Sequence, residues 1–126
     1  MKIRIYLDGA KVKLQRQYRL AKREDFSKVY RVGKSVANRQ FVVYAMTNRK
    51  TADFRVGISA SKKLGNAVVR NRLRRLVKEI IRHEAERIAP GFDLIVIVRK
   101  PAVGLAYKEM EKCLLHVLKR ASLLVQ

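Results

Sequence analysis

The sequence predicts an α/β domain, an α+β sandwich in which a small sheet carries packed helices, and three observations predict it. Two segments, FVVY at 41–44 and FDLIVIV at 92–98, are rich in the β-branched and aromatic residues that strands favour. Between them, residues 66–88 repeat their apolar positions with the period of a helix. Hydrophobic residues make up 48% of 126 residues, and no low-complexity tract or Pro/Gly-rich linker divides the chain, so one modest core is expected.

Taken in order, residues 1–21 read as an irregular or frayed arm. The domain boundary falls at 17/18, leaving a basic arm over 1–17 and a single domain over 18–126. Glu24 to Arg31 forms a short helix: Glu24 and Asp25 suit its positive N-terminal end, and Phe26, Val29 and Tyr30 share a face. Gly33 stops it. Strands follow at Ser35 to Ala37, Phe41 to Thr47 and Phe54 to Ala60, with a polar turn at Asn48 to Asp53. Asn66 caps a long helix that runs to about Ile88, and Pro90-Gly91 closes the segment. Phe92 to Val98 reads as a central strand buried on both faces, broken by Pro101. A last helix spans about Leu105 to Ser122, with Met110, Leu114, Val117, Leu118 and Ala121 at helical spacing. The order is α-β-β-β-α-β-α, a sheet with helices packed on it.

Charge narrows the function. Thirty Lys and Arg stand against ten Asp and Glu, a formal net charge of +20. So basic a domain repels itself unless a polyanion relieves the repulsion. No apolar run approaches the ~20 residues of a membrane span, and residues 1–8 lack a signal segment, so a cytoplasmic protein is expected. The single cysteine, Cys113, excludes an internal disulfide and a multi-cysteine zinc site.

On a wheel at about 100° per residue, Val69, Leu73, Leu76, Val77 and Ile80 occupy one arc and form the core face. Arg70, Asn71, Arg74, Arg75, Lys78 and Arg82 fill the opposing arc, with Arg72 on the flank. A solvated helix face ordinarily mixes signs, because like charges four residues apart destabilise a helix. Here Arg70, Arg74, Lys78 and Arg82 stack four positive charges at that spacing, which phosphates would neutralise. Upstream, residues 59–66 supply hydroxyls, Lys62, Lys63 and a helix N-terminus, all phosphate-binding elements.

The stretch RVGISASKKLGNAVVRNRLRRLVKE, residues 55–79, closely resembles the signature of the bacterial ribonuclease P protein, centred on the box Arg70-Asn71-Arg72. EDFSKVY at 24–30, SVANRQFVVY at 35–44 and RKPA at 99–102 are similar to that family in the same order, so the resemblance covers about residues 18–122. It implies an α/β sandwich with a left-handed β-α-β crossover, where handedness statistics alone favour the opposite hand. It implies that Lys62, Lys63, Asn66, Arg70, Asn71, Arg72, Arg74, Arg75 and Lys78 contact the catalytic RNA. Phe26, Tyr30 and Tyr44 are implied to line a cleft for the 5′ leader of precursor tRNA. The implied partners are the ribonuclease P RNA and precursor tRNA, with one monomeric protein per RNA and neither membrane nor DNA. Mg²⁺ is implied for the RNA subunit; the residues of the protein itself offer no nucleophile, triad or convincing metal cluster, and no cofactor of its own is expected. The arm from Met1 to about Gln17 does not match the family, and no role is assigned to it.

Read from spacing alone, Phe26 favours the core, while Tyr30 and Tyr44 are evenly balanced between core and base stacking. Other signals are weaker. Gly33-Lys34-Ser35 lacks the first glycine of a phosphate-binding loop, since position 28 is Lys. His83 and His116 read as solvated surface, and Cys113 as packing. Glu24 and Asp25 diverge by about 100° on a helix and are explained by its N-terminal dipole. A ribosomal RNA-binding protein fits the composition equally well. A protein-only nuclease needs a carboxylate cluster that ten scattered acids do not suggest, and a DNA-binding module needs a helix-turn-helix or dimer signature.

Overall fold

The computed structural model describes the backbone of residues 6–8 and 11–13 and all of 18–125. Two short strands, β1 (Tyr6–Asp8) and β2 (Lys11–Lys13), pair antiparallel within the segment expected to be irregular. The domain proper contains α1 (Arg23–Val32), β3 (Lys34–Ala37), β4 (Phe41–Thr47), β5 (Arg55–Ser59), α2 (Ala67–His83), β6 (Phe92–Val98) and α3 (Tyr107–Arg120).

The four strands β3 to β6 form one sheet in the order β3-β4-β6-β5. β3 pairs with β4, and β4 with β6, both antiparallel; β5 and β6 are parallel and joined through α2. Because side chains alternate along a strand, the register assigns each residue to a face. Phe41, Val43, Val56, Leu94, Val96 and Val98 point to one side, where they pack with Leu73, Val77, Ile80 and Ile81 of α2 and Met110, Leu114, Val117 and Leu118 of α3. The opposite face carries Tyr44, Met46, Ile95 and Ile97, on which Leu20, Phe26 and Val29 pack in a smaller second core. β6 lies between both layers and is buried almost throughout, as its unbroken apolar run predicts.

Within the domain, the elements depart from the sequence reading at two places. Residues 18–21, within the expected domain but read as irregular, pack against the sheet. Tyr18 and Leu20 are buried, Leu20 N donates to Val56 O at 2.9 Å, and Arg19 bridges to Val56, so the chain covers the outer edge of β5. The long helix ends at His83, five residues before the expected Ile88. Ala85 to Arg87 form a single 3-10 turn, and Ile88 is buried and bridges antiparallel to Leu124. The apolar period past His83 therefore records burial of an extended segment.

Candidate nucleic-acid interface

α2 begins where β5 ends. Residues 62–64 make one 3-10 turn that leaves Lys62 and Lys63 exposed and buries Leu64. Gly65 follows at φ 145, a conformation that side chains resist. Asn66 then accepts a hydrogen bond from Val69 N at 3.0 Å, the cap expected of it. With Leu73, Val77, Ile80 and Ile81 held in the core, the basic arc faces outward.

The arc is not uniform. Asn71, Arg72, Arg75 and Lys78 are exposed, whereas Arg70 and Arg74 are half-buried. Arg74 donates to the Ala60 carbonyl at 3.2 Å and to Asn71 Oδ1 at 3.0 Å, which ties the helix to the end of β5 and orients its guanidinium. Nε of Arg70 is buried without a hydrogen-bond partner among the described residues. The pKa of Lys78 is lowered, first by partial desolvation and then by the charges of Arg19 and Arg74. Sequence reasoning missed Arg19, which comes from the segment taken as frayed. The expected stack of four cations is cut to three: Arg82 forms an ion pair with Glu79, which depresses the Glu79 pKa. Arg70, Arg74 and Lys78 remain as a positive row.

The three aromatics share the other face of the sheet, and two of them are in contact. Tyr30 of α1 and Tyr44 of β4 pack edge to face, their ring centroids 5.0 Å apart. Phe26, one turn before Tyr30, lies over Gly57 of β5: a Cβ placed at Gly57 would come within 2.2 Å of the Phe26 ring. Phe26 and Tyr44 are half-buried, while Tyr30 remains 41% exposed. The spacing preference of Phe26 for the core is therefore partly met, and Tyr30 presents its ring to solvent. Beyond Tyr44 this face continues through Val42, Ile97 and Ser59, past the last turn of α1, as a half-buried sheet surface.

Salt bridges hold α1 in place. Arg55 donates to both carboxylate oxygens of the buried Asp93, at 2.9 and 2.7 Å, and reaches Asp25 at 3.4 Å. The hydrogen bond to Asp93 is the largest cause of the raised Arg55 pKa. Asn48 donates to the same carboxylate at 3.0 Å. Asp25 thus serves a structural ion pair as well as the helix dipole. Among the described residues, no group of three or more His, Cys, Asp or Glu side chains is placed to hold a metal ion. No helix among them is long and apolar enough to cross a membrane.

A mixed sheet with helices on both faces, a cationic helix row and a partly open aromatic edge define a small basic α/β protein of the nucleic-acid-binding class. Comparison with known proteins makes the assignment specific. The Ribonuclease P family matches residues 14–122. The ribonuclease P protein component of Bacillus cereus is 44% identical over 112 residues, covering 89% of this chain and 94% of that protein. Its counterpart from Listeria innocua is 45% identical over 113 residues, covering 90% and 95%. The ribonuclease P protein of Staphylococcus aureus has a solved structure that superposes with a TM-score of 0.80 at 46% identity, covering 84% of this chain and 96% of that one. The Thermotoga maritima protein superposes with a TM-score of 0.76 at 38% identity, covering 81% and 96%. The chain therefore belongs to the ribonuclease P protein family, and its function is that of a protein subunit of the ribonucleoprotein that processes the 5′ ends of tRNA. The ribosomal alternative gains nothing from these matches.

Proposed function

We propose that the two faces divide the work of the subunit. The surface of Lys62, Lys63, Arg70, Arg72, Arg74, Arg75 and Lys78 binds phosphates of the catalytic RNA, with Asn66 setting the helix start and Asn71 orienting Arg74. The edge formed by Phe26, Tyr30 and Tyr44 receives the single-stranded 5′ leader of precursor tRNA. The observation that carries this reading is the Tyr30 ring, held against Tyr44 and still 41% exposed. An aromatic face kept accessible beside a basic domain suits base stacking. The protein acts as a monomer, one per RNA, in the cytoplasm, without membrane or DNA partners. Mg²⁺ bound by the RNA subunit supplies the chemistry of phosphodiester hydrolysis. The chain contributes screening of phosphate repulsion between two RNAs, and leader contacts that mature tRNA lacks.

Reconstitution tests this. The protein is combined with a bacterial ribonuclease P RNA and precursor tRNA at low Mg²⁺. Stimulated cleavage with an RNA subunit, and none by the protein alone, is the expected result. Robust cleavage by RNA-free protein would falsify the division of labour.

A further inference from the structure

The sheet face beside the aromatics ends at a second basic site. Alternation along β6 carries the Ile97 side on to Arg99, and along β4 it runs back from Val42 to Gln40. Arg99 N donates to Gln40 O at 2.9 Å, so the two strands are still joined there. This end opens into a concavity of about 600 Å³ lined in part by Asn38, Arg39, Arg99, His116 and Arg120.

Asn38 organises it. Its Oδ1 accepts from Gln40 N at 3.0 Å and Phe41 N at 2.8 Å, closing the turn between β3 and β4. Its Nδ2 donates to the Cys113 carbonyl of α3 at 2.8 Å. Arg99 Nη1 donates to the Asn38 carbonyl at 2.8 Å, and Arg120 Nη1 to the Ala37 carbonyl at 2.9 Å. Arg39 is exposed, and its side chain takes part in none of these bonds. Three guanidiniums thus converge from a turn, a strand end and a helix, on a lining that contains no Asp or Glu.

Arginines that only cap carbonyls would also satisfy part of this geometry. Capping, however, uses one of the five donors of each guanidinium and leaves its full charge in place. Three other arginines are neutralised by acids: Arg55 by Asp93, Arg82 by Glu79 and Arg87 by Glu84. Here backbone bonds hold like charges together without a counter-charge, an arrangement that costs energy until an anion arrives. Planar forked donors match phosphate oxygens.

We propose that the Asn38 turn, with Arg39, Arg99 and Arg120, is a second phosphate-binding site for the backbone of RNA. Gln40 lies four residue steps before Tyr44, about 13 Å along the strand direction, so this site is distinct from the aromatic edge. The proposal rests on the RNA-binding reading above. The phosphates come either from leader nucleotides beyond those at the aromatic edge or from the catalytic RNA.

The test uses the reconstituted holoenzyme. Arg39→Ala and a triple variant, Arg39→Ala with Arg99→Gln and Arg120→Gln, are measured beside wild type. Affinity against salt is recorded for three partners: a long-leader precursor, a short-leader precursor and the RNA subunit alone. The slope of log affinity against log salt falls by roughly 0.7 for each single-strand phosphate contact removed. A loss confined to the long leader supports the site and assigns it to the leader. A loss in assembly with the RNA subunit supports the site and assigns it to the catalytic RNA. Unchanged affinity and slope in all arms overturn it. Arg39→Ala leaves the bonds of the turn intact, so its result stands even if the triple variant unfolds. Tyr30→Ala, run in parallel, separates failures: a selective leader loss there beside a silent Arg39 set condemns only this site.

Discussion

Tyr30 and Tyr44, fourteen positions apart in sequence, meet edge to face across the join of α1 and β4, with centroids 5.0 Å apart. Tyr30 is the outer ring of the pair, and Tyr44 is its floor. If a leader base stacks there, Tyr30→Ala weakens precursor tRNA binding by about 1–3 kcal/mol. Mature tRNA binding and assembly with the RNA subunit stay the same, and Tyr30→Phe keeps most of the affinity because stacking uses the ring. At 41% exposure the ring leaves no closed cavity, so the melting temperature falls only slightly. A large melting shift with equal loss for both tRNAs would show that Tyr30 only supports the fold.

Gly57 sets the depth of the same edge. With a Cβ 2.2 Å from the Phe26 ring, Gly57→Ala forces α1 away from β5 or Phe26 into another rotamer. The expected cost is about 1–3 kcal/mol of stability, the range for overpacking. Leader affinity falls with it, while affinity for the RNA subunit is retained because α2 packs on the opposite face. Chemical denaturation and the two binding assays check this; a Gly57→Ala protein of wild-type stability would refute the packing argument.

Arg74 and Arg75 are neighbours in sequence with different attachments. Arg75 is exposed, so Arg75→Ala lowers the salt slope of binding to the RNA subunit by about one and leaves stability within about 0.5 kcal/mol of wild type. Arg74 also bonds the Ala60 carbonyl and Asn71. Arg74→Ala therefore lowers the slope and costs about 1 kcal/mol of stability as well. Equal melting temperatures for the two variants would show the tether to be energetically empty.

Lys78 is predicted to trade stability for binding. Its pKa is lowered, so its charged form is penalised in the folded chain relative to the unfolded one. That penalty is complete below the folded pKa and disappears as pH rises past the ordinary lysine value. Lys78→Met at neutral pH should raise the melting temperature of the free protein slightly and lower the salt slope with RNA by about one. The gain over wild type should shrink as the pH is raised. A variant less stable than wild type at neutral pH would contradict the assigned cause.

By itself the sequence determined what depends on local pattern. Apolar periodicity located β4 and β6 with their observed ends, and charge periodicity put Arg70, Arg74 and Lys78 on the outward arc of α2. Asn66 was legible as a cap because capping is a contact over three residues. The ordered blocks, through family likeness, named the aromatic set. Only the tertiary structure decided relations that require distant segments to meet. Tyr18 and Leu20 look like part of a frayed segment until the edge of β5 buries them. Gly57 carries no chemistry of its own, and its meaning appears only when Phe26 lies over it. The Asn38 turn draws Arg99 and Arg120 from positions 61 and 83 residues away, respectively, from the carbonyls they bind. Periodicity reports which side of an element faces the core, because burial acts on each element separately. Which residues share a site depends on strand order and register, and those are set by the packing of the whole chain.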